Sequence, residues 1–382
     1  MARTKLFVEG IPLVADRVSG VGHALAGIVA ALATNKAFQE QFEIVIVGPR
    51  KRLHLLDRWP GLASCGRKGI PLKLRVMNRL SRYHLLPPMD LLLGPGFYLF
   101  GNYNNWPLTK RSKSFTYMYD VSFRIYPEFT EPSNLSMLRR NIPYFIANTD
   151  YVLTSSQNSR HELLKYFDVQ PDKIKIVPIG VEREIYRPYS SKEIAQVKKK
   201  YEIDKQYFLF VSNIEPRKNV ERLIAAFRQL PKDYALVLVG GNGWLNEPIF
   251  AAIEEARKAG ATIIKPASYV SDEEVGTLMS GALALVHPAL HEGFGMPPLE
   301  AMAAETVVVS ADISALHEVV GDAGIYCDPL DVDAIADAMQ KASSLSAKER
   351  TALIKKGILQ VAKFSWTASG EKLGQFLAQQ RK

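Results

Sequence analysis

The residues best placed to do chemistry lie in HPALHEGFGMPPLEAMA, residues 287–303. An apolar run, ALALVHP, leads into a loop carrying Glu292, Gly293, Phe294, Gly295 and Met296. Pro297 and Pro298 then open a helical run that carries Glu300. Proline suits a first helical turn, where its missing N–H costs nothing. A loop and helix start of this kind exposes backbone N–H groups, and the helix dipole adds positive potential, which suits a diphosphate. Carboxylates accept hydrogen bonds that sugar hydroxyls donate. Two of them eight residues apart, one on the loop and one on the helix, can grip both ends of one ligand. Two bare glutamates could equally be solvated side chains on a strand–turn–helix connector; the glycines and prolines between them argue against that.

A second group is the pair Arg217–Lys218 in EPRKN. Fixed cations stabilise the charge that develops on a departing phosphate, although a basic pair opening a helix can also be merely exposed. YMYD supplies Tyr119 and Asp120, and SGVGHAL supplies Gly20, Gly22 and His23. The glycines of SGVGHAL follow the run LFVEG only after a long loop, which argues against a dinucleotide-binding fingerprint. Asp331-Val332-Asp333 has the form of a metal-holding DxD pair. Its position just before a helical run makes the aspartates cap and first-turn residues instead. No cysteine–histidine cluster suggests zinc, and no GxxxxGK[ST] loop suggests a nucleoside triphosphatase.

The elements that must position these residues alternate along the whole chain. LFVEG, EIVIVG, DLLLG, SFTYMY, YVLTSS and IKIVPIG read as strands in the first half. FLFVSN, ALVLVGG, TIIKPA, ALVHPA, VVVSA and GIYCDP do so in the second. Helical patterns such as HALAGIVAALATN, SRHELLKYF, NVERLIAAFRQL, SDEEVGTLMSGA and DVDAIADAMQKASSL lie between them. Continuous apolar strands separated by helices mean parallel sheets covered on both faces. Two such runs in 382 residues predict an α/β chain of two doubly wound, Rossmann-like domains facing across a cleft. The spacing places the boundary in PIGVEREIYRPYSSKE, with one domain over 1–186 and the other over 187–364. The basic, weakly amphipathic tail 365–382 reads as a final helix.

The net charge of +9 hides an asymmetry. Residues 1–200 hold 30 Lys/Arg against 16 Asp/Glu, residues 201–350 hold 12 against 22, and the remainder 6 against 1. Residues 51–82 alone carry nine basic residues and one acid. Such a segment attracts anionic lipid or polyphosphate, or forms a solvated basic face. The pI of about 9.3 raises nucleic-acid binding, but no stacking-aromatic or groove-reading module accompanies it, so no nucleic-acid partner is expected. Two distant cysteines, Cys65 and Cys327, fit a reducing compartment. No signal peptide and no membrane-spanning run is found, giving the expectation of a cytoplasmic protein, soluble or peripheral on the inner membrane face.

EGFGMPPLEAMA resembles the glutamate–seven residues–glutamate signature of the family 4 retaining glycosyltransferases, which have the GT-B fold. FLFVSNIEPRKNVERLIAAF, LVLVGGNGW, YVSDEEV, EVVGDAGIYCDP and FSW follow in that family's order. SGVGHAL, YDVSFRIYPEF and DYVLTSSQNSRHELLKYFDVQPDKIKIVPIGVE are also similar, so the resemblance covers nearly the whole chain. It implies that Glu292 contacts the donor sugar, that Gly293, Phe294, Gly295 and Met296 line the sugar and diphosphate, and that Glu300 binds the ribose. Arg217 and Lys218 would neutralise the diphosphate, and Gly20 and Gly22 would approach it from the first domain. Tyr269 and Val270 of YVSDEEV join the substrate-binding residues, and Asp120 would orient the acceptor. Tyr119 stands where the family often has histidine, so a histidine role lapses there. Glu305, Val307 and His317 are smaller departures. The implied reaction is metal-independent transfer of a hexose, with GDP-mannose favoured, from a nucleoside diphosphate sugar to a glycan or polyprenyl-linked acceptor. No cofactor beyond the sugar nucleotide is expected, and the membrane contact would run through residues 51–82. The last helix would return to the first domain. A nucleotide-sugar epimerase or hydrolase, or a non-catalytic sugar-nucleotide sensor, is the alternative.

Overall fold

The computed structural model describes residues 3–381, except 17, 71–75, 78, 81, 82 and 84. The chain divides into two compact units. Met1–Ile125, Pro132–Gly180 and Phe364–Lys382 form the first, and Tyr126–Glu131 with Val181–Lys363 the second. The division therefore falls at 180 rather than 186, and a short piece of the first half belongs to the second unit. That piece is held there by the Trp244 indole N–H, which donates to the Phe129 carbonyl at 2.5 Å.

The first unit contains β1 (Thr4–Glu9), β2 (Phe42–Gly48), β3 (Gly66–Gly69), β4 (Phe97–Phe100), β5 (Lys113–Tyr117), β6 (Tyr151–Thr154) and β7 (Ile174–Ile176), in the order β3-β2-β1-β4-β5-β6-β7. Every described pairing is parallel. The strand order reverses between β1 and β4, the kind of point where doubly wound sheets bind ligands at their carboxyl edge. Helix α1 (Gly20–Thr34) covers one face and packs on the tail helix Trp366–Gln379. Gly27 and Gly180 make room for the Trp366 ring, since a Cβ on Gly27 would stand only 2.3 Å from it.

The second unit contains β8 (Gln206–Val211), β9 (Tyr234–Val239), β10 (Thr262–Ile264), β11 (Ala284–His287), β12 (Val308–Ala311) and β13 (Gly324–Cys327), all parallel, in the order β10-β9-β8-β11-β12-β13. Its core runs from Phe208 and Phe210 through Leu236 and Leu238 to Val286, Val309 and Met339. The reversal here lies between β8 and β11.

Two differences from the sequence reading concern strands. DLLLG is not a strand but the single helical turn Asp90–Leu93. Only Asp90 and Leu93 are buried, a helical spacing, and the Asp90 carboxylate accepts from the Thr109 amide at 3.0 Å and the Ser112 hydroxyl at 2.8 Å. The strand at that place in the sheet is FYLF, β4, a few residues on. The polar edge strand GRKG, β3, carries no apolar signal at all. Cys65 and Cys327 are free and buried, and burial pushes the thiols up to about 11 and about 12, so both are inert.

Candidate functional site

In the second unit the chemistry-bearing residues gather at the carboxyl ends of β8 and β11, on either side of the strand reversal. After β8 the chain makes a tight turn at Pro216–Lys218, and Asn219 takes a left-handed conformation, φ 62°, before helix α2 (Val220–Phe227). The Asn219 side-chain amide donates to the carbonyls of Pro288, at 3.0 Å, and Pro329, at 2.6 Å. The Leu290 amide donates to the Arg217 carbonyl at 2.9 Å. The EPRKN turn and the loop after β11 are thereby one construction.

Glu292 is the centre of that construction. Its Oε1 accepts from Lys218 Nζ at 2.5 Å and from His287 Nε2 at 2.8 Å, while its Oε2 lies 3.5 Å from Arg217. Arg217 also donates to the His291 carbonyl at 2.8 Å and to Glu215 at 2.9 Å. Burial would raise the Glu292 carboxyl, but Lys218, the His287 hydrogen bond and Arg217 outweigh it and hold the group well below the usual carboxylate range. Burial lowers the His287 imidazole despite Glu292, so the ring is neutral. With Glu292 ionised, Nε2 carries the proton and donates. Nδ1 is buried without a partner. The two cations are thus matched by two buried carboxylates, Glu215 and Glu292.

Glu300 sits on helix α3 (Met296–Ala303) in the opposite electrostatic setting. Burial, with Asp272 nearby, pushes its carboxyl up to about 8, and a hydrogen bond from Tyr186 only partly offsets this. At neutral pH it is mostly a neutral carboxylic acid, able to donate as well as accept. Val270 is buried on the approach to the helix Asp272–Gly281, while Tyr269 is 73% exposed beside it and within electrostatic reach of Tyr186. The loop between the two glutamates turns at Gly295, φ 106°, where a Cβ would meet Leu316 at 2.5 Å. Phe294 is buried under it. Pro297 and Pro298 contribute no N–H, so Met296 is the one residue of N1 to N3 that offers one.

The DxD pair behaves as a helix cap: Asp331 accepts from the amides of Asp333 and Ala334, and Asp333 accepts from Gln229. His317 pairs with Asp312 and stacks on Tyr326, and Glu305 adopts φ 59° in the turn after α3. No group of three or more metal-ligating side chains occurs among the described residues.

In the first unit the remaining candidates lie along the carboxyl edge of the sheet. Gly20 opens α1 and Gly22 is buried one turn in, where a Cβ would come within 2.9 Å of the Pro12 carbonyl, a packing reason for glycine. The His23 ring meets Trp59 edge-on at 5.3 Å. Asp120 Oδ1 accepts from Tyr103 at 3.0 Å and from the amide and hydroxyl of Ser122 at 2.9 and 2.8 Å, so it holds the turn after β5. Tyr119 stacks on Tyr117 at 4.4 Å, and its buried hydroxyl has no partner.

The sequence reading missed His287, Glu215, Asn219, Tyr186 and Glu9. His287 ends an apolar run and reads as its interruption. Tyr186 sits in what reads as a linker. Glu9 ends β1 at the strand reversal, is 2% exposed, and accepts from the Ile11 amide at 3.0 Å. Burial pushes its carboxyl up to about 7. Its one signal is a charged residue closing an apolar strand.

Two doubly wound sheets with a cation–carboxylate cluster at a strand reversal define a doubly wound α/β protein with a charged site at the carboxyl edge of its second sheet, and similarity to known proteins gives its family. Residues 191–360 match the family described as Glycosyl transferases group 1. The chain is 32% identical over 279 residues to the O-antigen chain mannosyltransferase B of Escherichia coli, covering 72% of this chain and 70% of that protein. It is 31% identical over 222 residues to the serotype-specific mannosyltransferase WbdA of Escherichia coli, covering 57% of this chain and 27% of that longer protein. Among solved structures, sucrose-phosphate synthase of Thermosynechococcus elongatus superposes with a TM-score of 0.75 at 18% identity, covering 99% of each chain. WaaG, a glycosyltransferase of lipopolysaccharide biosynthesis, gives 0.67 at 16% identity, covering 98% of this chain and 99% of that one. This chain belongs to the group 1 glycosyltransferases. It is an enzyme of that class with the GT-B fold.

Proposed function

We propose that the enzyme transfers mannose from GDP-mannose, with retention and without a divalent metal, to a glycan or polyprenyl-linked acceptor at the cytoplasmic face of a membrane. The observation that carries this reading is the Glu292–Lys218–Arg217 cluster with Glu300 eight residues on, in a chain similar to O-antigen mannosyltransferases. Lys218, Arg217 and the loop amides around Gly293–Met296 stabilise the departing diphosphate. Glu292 keeps its Oε2 for the hexose, since Oε1 is already taken by Lys218 and His287. Glu300 and Tyr269 meet the nucleoside. The bond from the sugar C1 to the diphosphate breaks, the acceptor oxygen bonds to C1 on the same face, and its proton passes to the departing phosphate. No protein nucleophile is assigned. Asp120 and Tyr119 belong to the acceptor side of the reading, and Gly20 and Gly22 to the diphosphate side.

The test is release of nucleoside diphosphate from GDP-, UDP- and dTDP-sugars, for wild type, Glu292→Ala and Lys218→Ala, with and without EDTA. Turnover of GDP-mannose that needs both residues, survives EDTA and yields an α-linked product supports the reading. Turnover of UDP-glucose alone removes the donor assignment, loss with EDTA removes metal independence, and a β-linked product removes retention.

A further inference from the structure

The first unit carries a second concave site, at the amino-terminal edge of its sheet. The pocket has a volume of about 550 Å³. Six cations line it: Arg3 and Lys5 around the start of β1, Lys110, Arg111 and Lys113 leading into β5, and Arg381 at the end of the tail. No carboxylate is among its lining residues. Glu43 is the register neighbour of Lys5 but lies outside the lining, and Asp90 is buried below, occupied by Thr109 and Ser112. Lys113 donates to the Gln380 carbonyl at 2.7 Å and Arg381 to the Thr4 hydroxyl at 3.1 Å, which ties the walls together. Arg3, Lys5, Lys110 and Arg111 are exposed and form no ion pair among the described residues. Immediately beside the lining residue Leu93, Leu91 and Leu92 are 64% and 47% exposed.

Concentrated positive charge in a concave wall draws anions, and uncovered leucines next to it disfavour a purely aqueous ligand. We propose that this pocket seats the phosphate headgroups of an anionic bilayer, with Leu91 and Leu92 entering the interface beside them. It is a surface separate from residues 51–82, where the sequence placed the membrane contact. In that segment Arg52 and Arg67 are paired with Asp16 and Asp57, Arg58 and Lys68 donate to backbone carbonyls, and residues 71–75, 78, 81 and 82 lie outside the described part. The parallel strands then hold their carboxyl ends, with Glu9 and Asp120, about 20 Å from the bound edge at ~3.3 Å per residue. An acceptor anchored in the bilayer would be met at a distance from the lipid.

The experiment is flotation of the full chain with vesicles of phosphatidylcholine alone and of phosphatidylcholine mixed with phosphatidylglycerol, at low salt. Binding is expected only to the anionic vesicles. Each surface cation contributes about fivefold, so Lys110→Ser with Arg111→Ser should weaken binding about twenty-five-fold. Leu91→Ser with Leu92→Ser should weaken it about tenfold while leaving its salt dependence intact. Lys355→Ser with Lys356→Ser, exposed in the second unit, should leave it unchanged. Sugar-nucleotide turnover measured without vesicles should be the same in all four proteins, which separates this result from the donor reading. Equal binding to neutral vesicles overturns the proposal, as does equal weakening by the control pair. So does a pocket variant that floats with the anionic vesicles as well as wild type does.

Discussion

Glu292 and Glu300 are eight residues apart in one loop–helix element, and their surroundings drive them in opposite directions. Both are buried to the same extent, 8% exposed. Around Glu292 stand Lys218, Arg217 and a neutral His287, and the carboxyl is held ionised. Around Glu300 stand Asp272 and Tyr186, and the carboxyl is pushed up to about 8. Burial raises both carboxyls, and only Glu292 has cations beside it to reverse the sign. In this chain the two glutamates are therefore not equivalent: Glu292 is a fixed anion among cations and Glu300 a proton-bearing acid.

The largest test of that contrast is the dependence of stability on pH. Glu300 has a raised folded value, so its contribution is fully present below the unfolded value of 4.5 and is lost as pH rises towards 8, by about 5 kcal/mol in all. Glu9 acts with the same sign in the first unit between 4.5 and about 7, by about 3 kcal/mol. Glu292 has the opposite sign. Its contribution is present above 4.5 and is lost as pH falls through its depressed folded value. Calorimetry across pH 4–9 should show Glu300→Gln flattening the alkaline fall of the second unit and Glu292→Gln flattening only the acid fall. The same slope in both variants would break the comparison.

A somewhat smaller effect is expected from removing one partner of the buried pair. Lys218→Met leaves Glu292 with a neutral histidine and the Arg217 guanidinium at 3.5 Å, which Glu215 also holds, and should cost about 3–5 kcal/mol in urea unfolding. Adding Glu292→Gln should recover most of that, because the uncompensated charge is then gone. On the proposed function, turnover should fall by about a hundredfold or more in each single variant and stay low in the double, since stability returns without the charge proposed to stabilise the leaving group. If the double variant regains turnover, the cluster is architectural only.

Much of this geometry is legible in the amino-acid sequence alone. The glycines and prolines between residues 292 and 300 announce a loop entering a helix, and the strand–helix alternation announces two parallel sheets. What is not legible depends on which side chains meet once the chain has folded. His287 ends an apolar run, and nothing local says that it meets Glu292. Tyr186 lies more than a hundred residues from Glu300 in a stretch that reads as a connector. DLLLG has strand composition, yet Asp90 finds its partners at Thr109 and Ser112 and turns the segment into a helical turn. The short β4 hides among Gly and Asn residues, and edge strand β3 has no apolar face to show.

A backbone test of the loop joining the two glutamates should have a more modest outcome. Gly295 combines φ 106° with a side-chain contact at 2.5 Å, so Gly295→Ala should cost about 1–3 kcal/mol. Because the strain falls between the two carboxylates, it should weaken nucleotide binding as well as stability, read by titration calorimetry with GDP. Unchanged nucleotide affinity would mean that the loop amides do not contact the diphosphate.

The smallest effect belongs to the first unit and probes whether its hydroxyls are part of a site. Tyr119 stacks on Tyr117, and its hydroxyl is buried with no partner. An unsatisfied buried hydroxyl costs folding free energy, so Tyr119→Phe should be neutral or stabilising by up to about 1 kcal/mol, in contrast to the losses at Lys218 and Gly295. Donor turnover to water separates the two meanings of that orphan atom. If the variant gains stability and transfers to acceptor normally, the tyrosine has replaced the family's histidine as a packing residue. If it gains stability but its acceptor KM rises with donor hydrolysis unchanged, the hydroxyl is left unsatisfied by the fold because the acceptor satisfies it.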